Sequence, residues 1–299
     1  MQPFPIESAP GDSTIALFRL DQGRPVVVLD HDLIRRLEAT LAALPRTAEG
    51  LILASAGERA FVAGADLKAI QQLSDAELLK YLEYAAGVFA RLLDLPYPTA
   101  AAIHGAVLGG GLELAMHCDG LIAAPSPTGK PYPVGLPEAS LCICPGWGGT
   151  NLLPARMEAG EAIRRTATGQ VMNVDQAVAA GLFDGVAPSA SELISAAASW
   201  IASSRKERRA PRDGMPRCWI GRACRKGSPA EVVRALDRVR PELPDTESAR
   251  AVVEAVDTGL TRGWHAALRV ERERLVYLRN TPAGKAAIEA FFARSGGKA

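Results

Sequence analysis

The sequence predicts an α/β fold of repeated strand–strand–helix units with a helical C-terminal region. Short aliphatic runs at residues 14–20, 25–29 and 51–55 are interleaved with an amphipathic helix over 31–43. A further apolar run at residues 99–103 leads into a glycine-rich helix start. Beyond residue 228, apolar-periodic helical stretches follow one another with no strand signal between them. Strand, strand and helix in repetition imply a layered core. No strand is followed by G-x-G-x-x-G, so the pattern is not that of a Rossmann fold.

The 299 residues suffice for one large domain or two modest ones. The organisation expected is a core over residues 1–200 and a C-terminal helical region over 201–299. Hydrophobic content of 48% and charged content of 22% describe an ordinary soluble globular protein. A net charge of +1 gives no support to a nucleic-acid or membrane partner. No apolar run approaches bilayer length, and the N-terminus lacks the basic start and apolar core of a signal peptide. The five cysteines lack the layout of a disulfide scaffold. Neither Cys142 with Cys144 nor Cys218 with Cys224 has a nearby histidine to complete a zinc pattern, so no metal site is expected. They read as reduced thiols in a cytoplasmic protein.

In chain order, residues 14–20 and 25–29 read as strands around the turn Asp21-Gln-Gly23. Leu33, Ile34, Leu37, Leu41 and Leu44 give the helix over 31–43 its apolar stripe. After the strand at 51–55, small residues from Ala63 to Ala65 precede Asp66, which can cap a helix starting there. Then come residues 106–119, with three consecutive glycines from Gly109 to Gly111. Glycine gives up more backbone entropy than alanine, so something must need the missing side chains. Close approach of backbone to a ligand is one such need. A helix starting at these glycines presents N–H groups with no intrahelical partner at its positive end, where an oxygen that turns negative would be well placed. Glu113 lies three residues after Gly110, on roughly the same face. From this stretch alone a plainer reading leads: a glycine-eased helix against a strand, with Glu113 in solvent. The junction at 63–66 could offer further donors, or be a simple tight turn.

These residues resemble a known family. Phe61-Val-Ala-Gly-Ala-Asp-Leu-Lys68 and residues 98–119, built on Gly109-Gly-Gly-Leu-Glu113, closely resemble two signature stretches of the enoyl-CoA hydratase/isomerase (crotonase) superfamily. Residues 134–150, from Gly135-Leu-Pro-Glu138 to Gly146-Trp-Gly-Gly-Thr150, resemble the third. The resemblance implies a crotonase-type spiral of strand–strand–helix turns. It further implies a helical region used in homo-oligomers, a trimer or a dimer of trimers. The backbone N–H groups of Ala65 and Gly110 match the family's oxyanion hole, and Glu113 and Glu138 match its two catalytic glutamates. Ala63, Ala65, Asp66 and Leu67 match the segment whose backbone meets the adenine end of coenzyme A. Arg59 and Lys68 fall where basic residues approach its phosphates, Gly109 adjoins the substrate, and Gly146 matches a glycine on the water side of the site. No separate cofactor is implied, because coenzyme A is part of the substrate.

The chemistry explains the set. Adding water to a double bond conjugated with a thioester puts negative charge on the thioester oxygen. Two fixed N–H donors stabilise it, and losing one such donor typically costs on the order of 10²–10³ in rate. Water must lose a proton as it attacks the β carbon, and the α carbon must gain one. Two carboxyls share this work when one is ionised and the other protonated. The assignment expected is Glu138 as proton donor and Glu113 as activator of water. Relatives that shift a double bond or cleave acyl-CoA commonly lack one of the two, so the pair favours hydration over isomerase, lyase or hydrolase activity. Residues 124–133 are longer and richer in proline than is usual in the family and should form a surface loop. The scattered histidines suit packing, and Trp147 either narrows the acyl pocket or packs.

The rest of the chain has another character. An alanine-rich helix is expected over 190–204. Residues 205–226 then carry nine Lys or Arg against Glu207 and Asp213 and read as a loop or broken helix. Helices are expected over 229–240, 246–260, 263–279 and 282–294, the last opened by Pro282 and carrying Phe291 and Phe292 as apolar surface. The stretch from Ser248 onward resembles the linker after the hydratase part of multifunctional fatty-acid oxidation enzymes. The dehydrogenase domain that follows there is not expected here. A crotonase-fold protein that binds RNA or a partner through its basic segment is the non-enzymatic alternative. Apart from Trp219, that segment lacks the interleaved aromatics of a nucleic-acid site.

Overall fold

A computed structural model describes residues 1–204, 215–222 and 228–296. Most of the basic segment, at 205–214 and 223–227, lies outside the described residues. The strands are β1 (Ile6–Ala9), β2 (Asp12–Leu20), β3 (Gly50–Ser55), β4 (Ala60–Val62), β5 (Thr99–Ile103), β6 (Ala106–Leu108), β7 (Gly120–Ala123), β8 (Pro133–Gly135), β9 (Met172–Asn173) and β10 (Gly185–Val186). The first helices are α1 (His31–Ala42), α2 (Leu67–Gln72), α3 (Asp75–Asp94), α4 (Gly110–Met116), α5 (Gly149–Leu152) and α6 (Ala159–Thr168). The others are α7 (Val174–Ala179), α8 (Leu193–Ser204), α9 (Pro229–Val239), α10 (Glu247–Arg262), α11 (Trp264–Asn280) and α12 (Pro282–Gly296). None of the described helices is long and apolar enough to cross a membrane.

The chain forms two units. The first comprises Met1–Ala65, Ala85–Val134 and Met172–Arg217, and the second Asp66–Tyr84, Gly135–Val171 and Cys218–Ala299.

The first unit is built on a six-stranded sheet of order β1-β2-β3-β5-β7-β10, parallel except for β1 against β2. Gly50–Ser55 and Thr99–Ile103 are buried along their whole length, as expected of parallel strands covered on both faces. Ile15, Leu17, Ile52, Ala100, Ala102 and Ile122 of the sheet pack with Leu193, Ala197 and Ile201 of α8. A smaller sheet has the order β4-β6-β8-β9, with β4 and β6 parallel.

One expected strand is corrected. Residues 25–29 form no ladder with β2, whose antiparallel partner is β1, joined through Pro10 and Gly11. Pro25 has no N–H to give a ladder, and Val28 donates instead to Gln22 Oε1 at 2.9 Å. Val27 and Leu29 are still fully buried. Their backbone runs beside residues 63–65: Ala63 N donates to Val27 O and Leu29 N to Gly64 O, each at 2.8 Å.

The second unit is helical. Ser228 and Glu231 close a capping box at the start of α9, Thr246 caps α10, and the Thr281 hydroxyl accepts from Gly284 N at the start of α12. Arg279 of α11, nearly buried, donates to Ile70 O and to Asp75. In α12, Ile288 is the fully buried anchor. Phe291 is exposed and Phe292 half-buried, touching edge-on. Less of that aromatic pair is covered than the apolar surface of the sequence suggested. The loop at 124–133 is exposed over most of its length, as expected.

Candidate active site

Two strand-to-helix junctions meet at one end of the small sheet in the first unit. Parallel β4 and β6 pair at Ala60–Ala106 and Val62–Val107. Their ends therefore lead side by side into residues 63–65 and 108–110. A Cβ on Gly64 would lie 3.4 Å from Leu108 O, which measures how near the two junctions run. Leu29 forms a parallel bridge with Ala65. That bond pattern uses the atoms flanking Ala65 and directs its own N–H away from Leu29. Gly110 opens α4, where a helix N–H has no intrahelical acceptor.

The three glycines answer to different needs. Gly109 is the cap of α4 at φ 52° and ψ −128°, a backbone that side-chain-bearing residues rarely adopt. A Cβ on Gly111 would lie 2.3 Å from Val62 O, so the helix can sit on β4 only without it. Glu113 follows on α4 and is 1% exposed, because all seven residues of the helix are buried. The plainer reading that put Glu113 in solvent is therefore wrong. Its carbonyl bonds His117 Nδ1 at 2.8 Å, and the His117 ring meets Phe89 edge-on. His104 Nε2 bonds Gly57 O at 2.7 Å. Arg59 is exposed and Ala63 half-buried.

The second unit holds the other predicted residues. The Asp66 carboxylate caps α2, accepting from Lys68 N at 3.0 Å and Ala69 N at 3.4 Å. Leu67 is half-buried and Lys68 exposed. Gly146 is buried, and a Cβ there would lie 3.0 Å from Leu275 Cδ1 and 3.4 Å from Leu82 Cδ2. Trp147 packs: its Nε1 donates to Leu82 O at 3.0 Å and its ring meets Tyr81 edge-on.

Glu138 opens a 3-10 turn, Glu138–Leu141. The residue is half-buried, but its Oε2 is out of solvent, and among the described residues that oxygen has no hydrogen-bond partner. Burial pushes this carboxyl up to about 8, and the nearby charge of Glu271 adds to the rise. Glu271, on α11, is wholly buried. Its Oε2 accepts from Gly148 N at 2.5 Å, and its Oε1 accepts from Thr150 N at 2.9 Å and from the Thr150 hydroxyl. Sequence reasoning passed over Glu271. The available signal was its place on the stripe Trp264, Leu268, Glu271, Leu275 and Leu278, where a charge is out of pattern.

A family profile described as "Enoyl-CoA hydratase/isomerase" matches residues 11–213. The fatty acid oxidation complex subunit alpha of Vibrio cholerae is 32% identical over 254 residues, covering 82% of this chain and 34% of that protein. The chain thus spans about a third of the length of the curated relatives it matches. Among solved structures, human mitochondrial delta3-delta2-enoyl-CoA isomerase superposes with a TM-score of 0.70 at 21% identity, covering all of both chains. At that identity the likeness is one of fold. Enoyl-CoA hydratase from Bacillus anthracis gives a TM-score of 0.60 at 26% identity, covering 98% of this chain and 97% of that one.

Proposed function

The chain belongs to the enoyl-CoA hydratase/isomerase family, and on that premise we propose that it adds water to 2-enoyl-CoA thioesters to give 3-hydroxyacyl-CoA. The observation that carries the reading is the Glu138 carboxyl, pushed up to about 8. It therefore holds a proton at neutral pH, as a donor to the α carbon must. Glu113 takes the complementary part and accepts a proton from the attacking water. The N–H groups of Ala65 and Gly110 receive the charge that develops on the thioester oxygen.

The remaining residues bind the coenzyme A moiety. Arg59 and Lys68 are exposed, as groups that meet phosphates should be. The Asp66 carboxylate is committed to its helix cap, so Ala63, Asp66 and Leu67 would meet the adenine end through backbone. Gly109 and Gly146 would meet the substrate through backbone alone.

The test is hydration of crotonyl-CoA, followed by loss of the conjugated enoyl thioester absorbance. Steady loss with formation of 3-hydroxybutyryl-CoA is expected. An inert enzyme overturns the reading, and conversion of a 3-enoyl-CoA to the 2-enoyl isomer in place of hydration would make it an isomerase.

A further inference from the structure

We propose that Glu271 is a positioning residue: it holds residues 142–150 in the strained conformation that aims the Glu138 carboxyl. The inference rests on the proton-donor role given to Glu138 above.

The turn that carries Glu138 sets where its carboxyl points, because the buried Oε2 has no hydrogen-bond partner among the described residues. The Glu138 carbonyl accepts from Ile143 N at 3.2 Å, and Cys142 N donates to Ala139 O at 3.0 Å. Cys142 ends the turn at φ 56° and ψ 27°. Among the described residues it is the only non-glycine with a positive φ. Such a backbone persists only where its surroundings over-determine it.

Glu271 supplies that determination. Cys144 Sγ donates to its carbonyl at 3.4 Å. Gly148 N donates to its Oε2 at 2.5 Å and Thr150 N to its Oε1 at 2.9 Å, with the Thr150 hydroxyl as a further donor. One residue of α11 thus grips the segment on both sides of Gly146. Leu275, one turn further along α11, abuts Gly146 itself, where a Cβ would lie 3.0 Å from Leu275 Cδ1. Gly148, at φ 101°, lies against the Trp264 ring and leaves no room for a Cβ. Trp264, Glu271 and Leu275 share a face of α11 at positions i, i+7 and i+11. Relaxing Cys142 would mean shifting the residues after it off that face.

Both carboxyl oxygens of Glu271 receive a backbone N–H, and this sets the test. Glu271→Gln has one acceptor oxygen and turns an NH2 toward the other N–H. Glu271→Asp keeps both oxygens but draws them back by one methylene. Each should lower kcat for crotonyl-CoA by on the order of 10²-fold. KM should stay within a few-fold, because the residues assigned to coenzyme A lie on other elements, at 59–68. Val239→Ala, a core deletion on α9, is the control and should lower Tm while leaving kcat per folded protein at the parent level. Glu271 variants that behave like this control overturn the proposal. A rise in KM as large as the fall in kcat also overturns it, since it marks a general loss of the site's shape. Amide hydrogen exchange on the parent decides the case in which neither variant folds. Gly148 and Thr150, at the start of α5 where no intrahelical acceptor serves them, should exchange as slowly as the core of α11. Exchange as fast as in the loop at 124–133 overturns the proposal. The hydratase reading fails in the parent and this one in the variants. If the parent isomerises a 3-enoyl-CoA in place of hydration, the same fall in kcat is read on that reaction.

Discussion

Thr150 holds Glu271 twice, through its backbone N–H at 2.9 Å and through its hydroxyl, although the two residues are 121 positions apart. Thr150 is itself fully buried. Thr150→Val keeps the volume and the backbone donor but withdraws the hydroxyl from a buried carboxylate. The expected cost is about 1–3 kcal/mol of stability, read as a lowered Tm or denaturation midpoint, with Thr150→Ser restoring most of it.

Glu138 makes stability depend on pH in a direction unusual for a carboxyl. Its folded-state value of about 8 lies above the ordinary 4.5. Between those values the folded chain binds more protons than the unfolded one, so stability falls as pH rises. This contribution is complete below pH 4.5 and is lost through about pH 8. The slope from this group approaches about 1.4 kcal/mol per pH unit. Denaturation of the parent and of Glu138→Gln across that range should show a shallower slope in the variant.

Glu113→Gln should depress kcat strongly while leaving acyl-CoA binding within a few-fold of the parent, because the change is isosteric in a helix already buried all round. A loss of about 10²–10⁴ is the ordinary range for removing a general base. Steady-state kinetics paired with calorimetric binding of a saturated acyl-CoA separates the two effects.

Gly111→Ala should destabilise the protein by about 1–3 kcal/mol, because the new methyl would meet Val62 O at 2.3 Å. Gly87→Ala is the control, since a Cβ there meets nothing within 4 Å. Thermal unfolding of the two variants should separate them by several degrees.

Helix α12 packs against α11 and the turn that carries Glu138. Removing residues 282–299 takes away Ile288 and uncovers that turn. A raised KM for enoyl-CoA is expected, with Glu113 untouched. An unchanged KM together with a smaller solution mass would assign the helix to subunit contact instead.

Much of this was legible in the sequence because it is local. The helix over 31–43, the strand at 51–55 and the four C-terminal helices are written in period and caps. Residues 25–29 show where that logic stops: their burial was legible, but Pro25 and the Gln22 contact to Val28 replace the ladder. The plainer reading that put Glu113 in solvent fails because the seven-residue helix is enclosed on every side. Glu271 was hidden because its partners Gly148 and Thr150 are distant in sequence, and its neighbours Arg272, Glu273 and Arg274 read as a solvated face.

The backbone bridge from Leu29 to residues 63–65 also governs which mutations this chain can absorb over time. Leu29 fixes Gly64 through main-chain atoms. Apolar residues can therefore replace one another at position 29 without turning the Ala65 amide. Length is another matter. Deleting one residue between Asp21 and Leu29 would slip the pairing by one, and a one-residue slip reverses which groups face which side. The segment is thus tolerant of spelling and intolerant of indels.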